Sequence, residues 1–277
     1  TLERPESAPA GLGDLLGDLS PRHAANALVA FIFATTGPIA ILLAVATRSG
    51  LTEAQIASWM FGAFFVNGLV SLVFSLIYRQ PLVMLWSIPG VVLVGPALAT
   101  HTFPQVIGAY LGCGLLMLLL GLTGWVRRAM QAIPMPIVMG MVAGVFLKFA
   151  LDWIGALQTD FSVAGPMTAA YFAVGCVPPL ARLMPPLIVA LVVGLAAAFA
   201  SGTFHPDIAS ATLIAQPLWQ MPDWSVNALV ELVVPFTIAV LVVQNGQGMA
   251  VLQAAGHTAP LNALAVACGA ASLVTAC

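Results

Sequence analysis

Hydrophobic and polar positions along the chain fall into long apolar runs separated by short polar breaks. Nine apolar segments can be drawn, at about residues 24–46, 54–77, 82–99, 105–126, 134–150, 163–181, 185–200, 225–250 and 261–277. Most approach the roughly 20 residues that a helix needs to cross a hydrocarbon core of about 30 Å. The alternating polar and apolar segments of a membrane barrel are absent. The pattern predicts an all-α polytopic membrane protein.

The third segment, LVMLWSIPGVVLVGPALA over residues 82–99, is broken near its middle. Ser87 can cap a helix, and Pro89 suits a first turn, where its missing N–H would be unpaired anyway. Residues 82–86 then read as an extended lead-in to a half-helix. Five residues at about 3.3 Å and some 13 at about 1.5 Å sum to roughly 35 Å, enough to cross a bilayer. A half-helix that starts at mid-membrane exposes amide hydrogens and the positive end of its dipole, which suits an anion. Broken helices of this kind recur where transporters hold their substrates. The same residues also fit a Pro-kinked packing helix.

Two further segments carry polar breaks. The first holds Thr35, Thr36, Gly37 and Pro38 near its centre. Pro38 cannot donate to the Ala34 carbonyl, so the patch is either a polar site or a tolerated kink with threonine hydroxyls bonded back to the helix. The eighth ends in Gln244, Asn245, Gly246, Gln247 and Gly248. Three carboxamides there are costly in lipid and should face protein, water or a ligand, with Gln244 and Gln247 sharing a face at i, i+3. The alternative is a helix end entering the headgroups.

Composition agrees with the pattern. The 277 residues are 61% hydrophobic and 6% charged, a balance no water-soluble domain shows. The net charge of −2 says little, and nothing suggests nucleic acid. With the N-terminus cytoplasmic, Arg4, Arg22, Arg79, Arg127, Arg128 and Arg182 fall inside, while Arg48 and Lys148 fall outside, as the positive-inside rule prefers. The expected location is therefore a cell inner (plasma) membrane, multi-pass. Cys113, Cys176, Cys268 and Cys277 lie in or beside apolar segments at spacings unlike a zinc site. Neither a metal nor another cofactor is expected. No Gly-x-Ser-x-Gly elbow or His-Glu-x-x-His is present, so an enzyme reading has no nucleophile or metal set to name. Glu231 is the one acid inside an apolar span. It reads either as a protonation site near the outer entrance or as a first-turn acid favoured by the helix dipole. His101, His205 and His257 fall in loops and read as solvated.

Four short motifs follow one another along residues 50–262. Gln55-Ile-Ala-Ser-Trp59-Met60 opens the second segment and Trp86-Ser87-Ile88-Pro89-Gly90 breaks the third. Gln244-Asn245-Gly-Gln247-Gly248 closes the eighth, and Ala254-Ala255-Gly256-His257-Thr-Ala259-Pro260 follows it. In order and spacing they resemble the benzoate membrane transport family of aromatic-acid/proton symporters.

The resemblance implies a fold similar to the uracil and sulfate-type permeases, an inverted 7+7 repeat with two strand-plus-half-helix segments. Here it is expected to be truncated after about nine segments. Residues 1–23 would be a cytoplasmic tail, 24–126 core segments one to four, and 127–201 gate segments five to seven. Residues 202–224 would form an outer loop and 225–277 core segments eight and nine of an incomplete second repeat. The implied function is secondary active transport, a proton-coupled symport of benzoate or a related aromatic carboxylate. A nucleobase or inorganic-anion permease of the same fold is the alternative. Implied partners are that small carboxylate, protons and the lipid bilayer, with room for a homodimer. Carried over by position, Ser87, Ile88, Pro89 and Gly90 would offer backbone amides to the carboxylate, with Gln244 facing them; Trp86, Asn245, Gln247, Thr35, Thr36 and Gly37 are binding candidates from the polar breaks in their own segments. Gln244 stands where the uracil transporters have a glutamate. A neutral carboxamide avoids repelling a carboxylate, which leaves Glu231 as the proton-coupling candidate.

Overall fold

The computed structural model describes residues 2–5, 8–11, 13, 14, 17, 19–132, 134–184, 186–204 and 216–276. The described residues form helices and connections without a strand. Three helices among them are long and apolar enough to cross a membrane: Glu53–Tyr78 (α2), Phe103–Thr123 (α4) and Val226–Ala254 (α10). The others, in chain order, are α1 (Pro21–Arg48), α3 (Ile88–Thr100), α5 (Val126–Ala132) and α6 (Met135–Thr159). They continue with α7 (Phe161–Gly175), α8 (Pro178–Leu183), α9 (Pro186–Ala200) and α11 (Leu261–Thr275).

The chain packs as two compact units. The first comprises Thr1–Ser20, Ala40–Val142 and Ile214–Cys277, and the second Pro21–Ile39 and Ala143–Leu213. In the first, α4 is the central element, and its glycines set how closely its neighbours approach. A Cβ on Gly112 would lie 3.0 Å from Leu229 of α10, and one on Gly121 would lie 2.8 Å from the Asn262 carbonyl oxygen of α11. Gly269 of α11 returns the approach against Gly114 and Leu118. Small residues of this kind let helices gain dispersion contact where lipid offers no hydrophobic drive. Around them Val94, Val106, Ala109, Met117, Leu232, Phe236, Leu241 and Ala265 form the buried cluster.

The amino-terminal residues are strapped onto this unit. The Glu3 carboxylate accepts from the Asn262 and Ala263 amides, both at 3.1 Å, and from Asn262 Nδ2 at 2.8 Å, satisfying the first turn of α11. Tyr78 donates to the Glu3 carbonyl, and Arg79 pairs with Asp14 at 2.9 Å.

In the second unit α7 lies against α9, where a Cβ on Gly194 would collide with Met167. Trp153 of α6 donates to Thr168 of α7 at 3.0 Å.

Several boundaries differ from the sequence reading. Helix α6 runs on to Thr159 rather than stopping at 150, because Asp152 interrupts an apolar pattern that continues through Leu151, Trp153 and Ile154. The predicted segment 163–181 is two helices, since Val177 is extended and Pro178 and Pro179 open a new one. Helix α1 is continuous through Pro38, and Thr35 donates back to the Phe31 carbonyl at 2.8 Å, as in a tolerated kink. Only the helical backbone of Thr36 and Gly37 is described. His205 lies outside the described residues.

Candidate functional site

The interruption in the third segment is a break in the backbone. Residues 81–87 are neither helix nor strand, Ser87 itself is extended, and α3 begins at Ile88 with Ser87 as its cap. This non-helical stretch has no neighbouring strand, so its polar groups need other partners. Two serines of α2 provide them. Ser75 Oγ donates to the Leu82 carbonyl at 2.9 Å and accepts from the Leu82 amide at 3.2 Å. One turn earlier, Ser71 Oγ accepts from the Met84 amide at 2.7 Å and sits 3.0 Å from the Met84 carbonyl. The Leu85 carbonyl accepts from Gln244 Nε2 of α10 at 2.9 Å. Three side chains thus replace a sheet edge.

At the cap, Ser87 Oγ accepts from Gly90 N at 3.2 Å, and Val91 N donates to the Ser87 carbonyl. Pro89 has no amide hydrogen. Among the described residues the Ser87 and Ile88 amides are left without a protein partner, so the row across residues 87–90 that the sequence suggested is reduced to two.

Beside this break lies a cavity of about 540 Å³ walled by α2, the non-helical stretch, α3, α4, α10 and α11. It sits wholly within the first unit. Its aromatic lining includes Trp59, Trp86, Phe103, Tyr110 and Phe236. Tyr110 and Phe236 lie 5.0 Å apart, and Phe64 meets Trp86 edge-on at 6.3 Å. Gly90 packs closely against Phe236, and a Cβ there would stand 3.0 Å from the ring, so the ring would have to shift to admit it. The polar lining is Gln55, Ser58, Asn67, Ser87, Gln220, Gln244, Asn245, Ser272 and Thr275. Among the described residues no Asp, Glu, His, Lys or Arg lines it.

Two of the three long helices on the wall change pitch there. Phe61–Val66 of α2 and Ala239–Gln244 of α10 are π turns, which leave backbone groups less regularly paired and recur at functional sites. Pro235, four residues before the second, already removes one donor from α10. Thr237 donates to the Val233 carbonyl at 2.7 Å and lies 3.5 Å from Cys113 Sγ, so the thiol donates to Thr237.

Of the residues singled out from the sequence, Trp86, Ser87, Gly90, Gln244 and Asn245 are brought together on this wall. Ile88 and Pro89 form the adjoining first turn of α3. Gln247 is not on the wall; it is exposed, because the cavity stripe of α10 runs through Asn245, Gly248, Met249 and Leu252. Thr35 belongs to the second unit with its hydroxyl turned onto its own helix. Glu231 is the sixth residue of α10, beyond its first turn, and pairs with His101 Nε2 at 2.8 Å, outside the cavity wall. The His101 side chain is only 9% exposed, so it is not the solvated loop histidine that the sequence suggested. Sequence reasoning missed Ser71 and Ser75, whose spacing of one turn on α2 was the available signal.

A helical, strongly apolar chain with a broken helix beside an uncharged aromatic cavity is of the membrane-transport class. The benzoate membrane transport protein family matches it over residues 17–277, and the chain belongs to that family. It is 30% identical over 238 residues to the inner membrane protein YdcO of Escherichia coli K12, covering 85% of this chain and 59% of that protein. It is 25% identical over 251 residues to the benzoate membrane transport protein of Acinetobacter baylyi, covering 90% and 62%. The chain thus spans about three-fifths of the length of these curated relatives. No solved structure matches it.

Proposed function

We propose that this chain forms the substrate-holding part of a secondary transporter that carries benzoate or a related aromatic carboxylate together with protons. The observation that carries the reading is the cavity of about 540 Å³ beside the broken third segment, which combines aromatic rings with neutral amides. That volume falls in the ordinary range for small-molecule sites, about 300–1,000 Å³. Rings such as Trp59, Tyr110 and Phe236 offer flat apolar contact to an aromatic substrate. Gln244, Asn245 and the Ile88 amide offer hydrogen bonds to its carboxyl group. The name of the Acinetobacter relative supports the same substrate class.

The proposal includes an inverted-repeat fold in an inner membrane with the amino terminus cytoplasmic. The strap of Glu3 and Asp14 onto Asn262 and Arg79 holds the tail beside the end of α2 and the start of α11, and the positive-inside preference of Arg79 supports an inside position for it. The test is uptake of labelled benzoate by the intact protein in proteoliposomes with the outside acidified. Saturable uptake above protein-free vesicles, competed by unlabelled benzoate, is the expected result. Equal uptake with and without protein across a panel of aromatic acids refutes the reading, and competition by uracil or sulfate but not benzoate moves it to the alternative permease class.

A further inference from the structure

Gln244 has a fixed orientation. Its partner, the Leu85 carbonyl, can only accept, so the amide nitrogen must face it and the side-chain oxygen is left over. That oxygen is buried and has no hydrogen-bond partner in the protein. The next residue holds the complementary group, for Asn245 Nδ2 is a buried donor without a protein partner. Both residues line the cavity. An ionised carboxylate has only acceptors and nothing to give Gln244 Oε1. A carboxylic acid has one of each.

The charge balance of the wall points the same way. The titratable side chains on it are Tyr110, Cys113 and Cys268, each uncharged when protonated. Glu53, Arg79, His101, Asp223 and Glu231 sit on the elements that build the cavity, with Glu3 at the start of α11, yet none is on the wall. Burying a bare carboxylate without a cation is costly. At the start of α3 Ser87 takes the Gly90 amide and Pro89 has none, so only the Ser87 and Ile88 amides remain, neutral donors that do not replace a cation.

Resting on the aromatic-carboxylate reading above, we propose that the cavity takes its substrate as the protonated, uncharged acid. Gln244 Oε1 accepts the acid O–H, and the Asn245 carboxamide donates to its carbonyl. The coupled proton then travels on the substrate. In the outer solution one benzoate and one proton combine, the neutral acid binds and crosses, and on release it gives the proton to the inner solution. The stoichiometry is one to one and no net charge moves.

Equilibrium binding to the intact purified protein tests this with benzoate, benzamide and methyl benzoate. Benzamide has a donor and an acceptor like the acid but does not titrate, and methyl benzoate has no donor. With a benzoic carboxyl ionising near the ordinary value of about 4, the apparent Kd of benzoate should rise about tenfold per pH unit, roughly 100-fold from pH 5 to 7. Benzamide should displace benzoate with the same affinity at both pH values, and methyl benzoate should not displace it. Glu231→Gln should keep the benzoate slope. PH-independent benzoate binding without competition from benzamide overturns the proposal and leaves the transport reading standing. A slope abolished by Glu231→Gln also overturns it, by placing the proton on the protein. Failure to bind benzoate at either pH removes the transport reading and this proposal with it.

Discussion

Removing the Ser71 hydroxyl tests whether side chains do replace a sheet edge along residues 81–87. Ser71 Oγ meets both backbone groups of Met84, a residue only 8% exposed. Its other neighbour, the Asn67 carbonyl, retains its own helical position, so Ser71→Ala strands Met84 above all. A buried backbone group left unpaired costs about 1–3 kcal/mol, so losing the acceptor of the Met84 amide should cost that much, the one hydroxyl hydrogen being shared between the Asn67 and Met84 carbonyls. Leu85 follows directly and holds Gln244, so the damage should reach the cavity. SDS-titrated unfolding of the purified protein should show the loss of stability, and benzoate affinity should fall with it. Ser71→Thr keeps the hydroxyl and serves as control. Ser75→Ala should act in the same sense through Leu82, and the double variant should lose less than the sum, because a lead-in already freed has less to lose. Ser71→Ala with stability within about 0.5 kcal/mol of wild type and unaltered affinity would refute the reasoning.

Gln244→Met removes the unpaired acceptor and the bond to Leu85 at similar volume; benzoate and benzamide should both lose at least about tenfold in affinity, one lost hydrogen bond being worth about 1.4 kcal/mol. Gly90→Ala should push the Phe236 ring into the cavity and weaken binding several-fold in a direct binding assay, with a smaller effect on thermal unfolding. Gly121→Val drives new atoms against Asn262 and Val266 of α11 and should destabilise by about 1–3 kcal/mol in the same SDS titration. Glu3→Ala should lower the melting temperature through loss of the α11 cap, worth about 0.5–2 kcal/mol, with partial recovery in Glu3→Gln.

How far these features could be read beforehand depends on the range of the interaction. The break at Ser87 was legible because its signals are local: a capping hydroxyl, Pro89 in the first turn, and Gly90 directly after it. The serine clamp was not, since a serine in an apolar helix ordinarily bonds back onto its own turn, and Ser71 also lies 2.8 Å from the Asn67 carbonyl. The His101–Glu231 pair joins residues 130 apart, and Glu3 reaches across 259 to Asn262. Neither separation leaves a mark in a sequence window. Gln247 was misplaced for a different reason. An i, i+3 spacing puts it on one face with Gln244 in a regular helix, but the wall follows the i+4 partner Gly248 and the Asn245 row.

The two π turns bear on why the cavity is neutral and still polar. A π turn carries an extra residue within the helix, so the faces before and after it no longer line up at 3.6 residues per turn. In α10 this lets Phe236 and Val240 present apolar surface while Gln244 and Asn245, immediately after, present amides to the same space. In α2 the turn puts Gly62 and Ala63 on the wall between Trp59 and Asn67. Ring contacts and carboxamides thus alternate around one volume without a charge having to be buried. A cation on the wall would hold a carboxylate more tightly, but it would have to lose that partner again on every release. A donor and an acceptor that match a neutral acid impose no such ion pair to break, which suits a site that must fill and empty in each cycle.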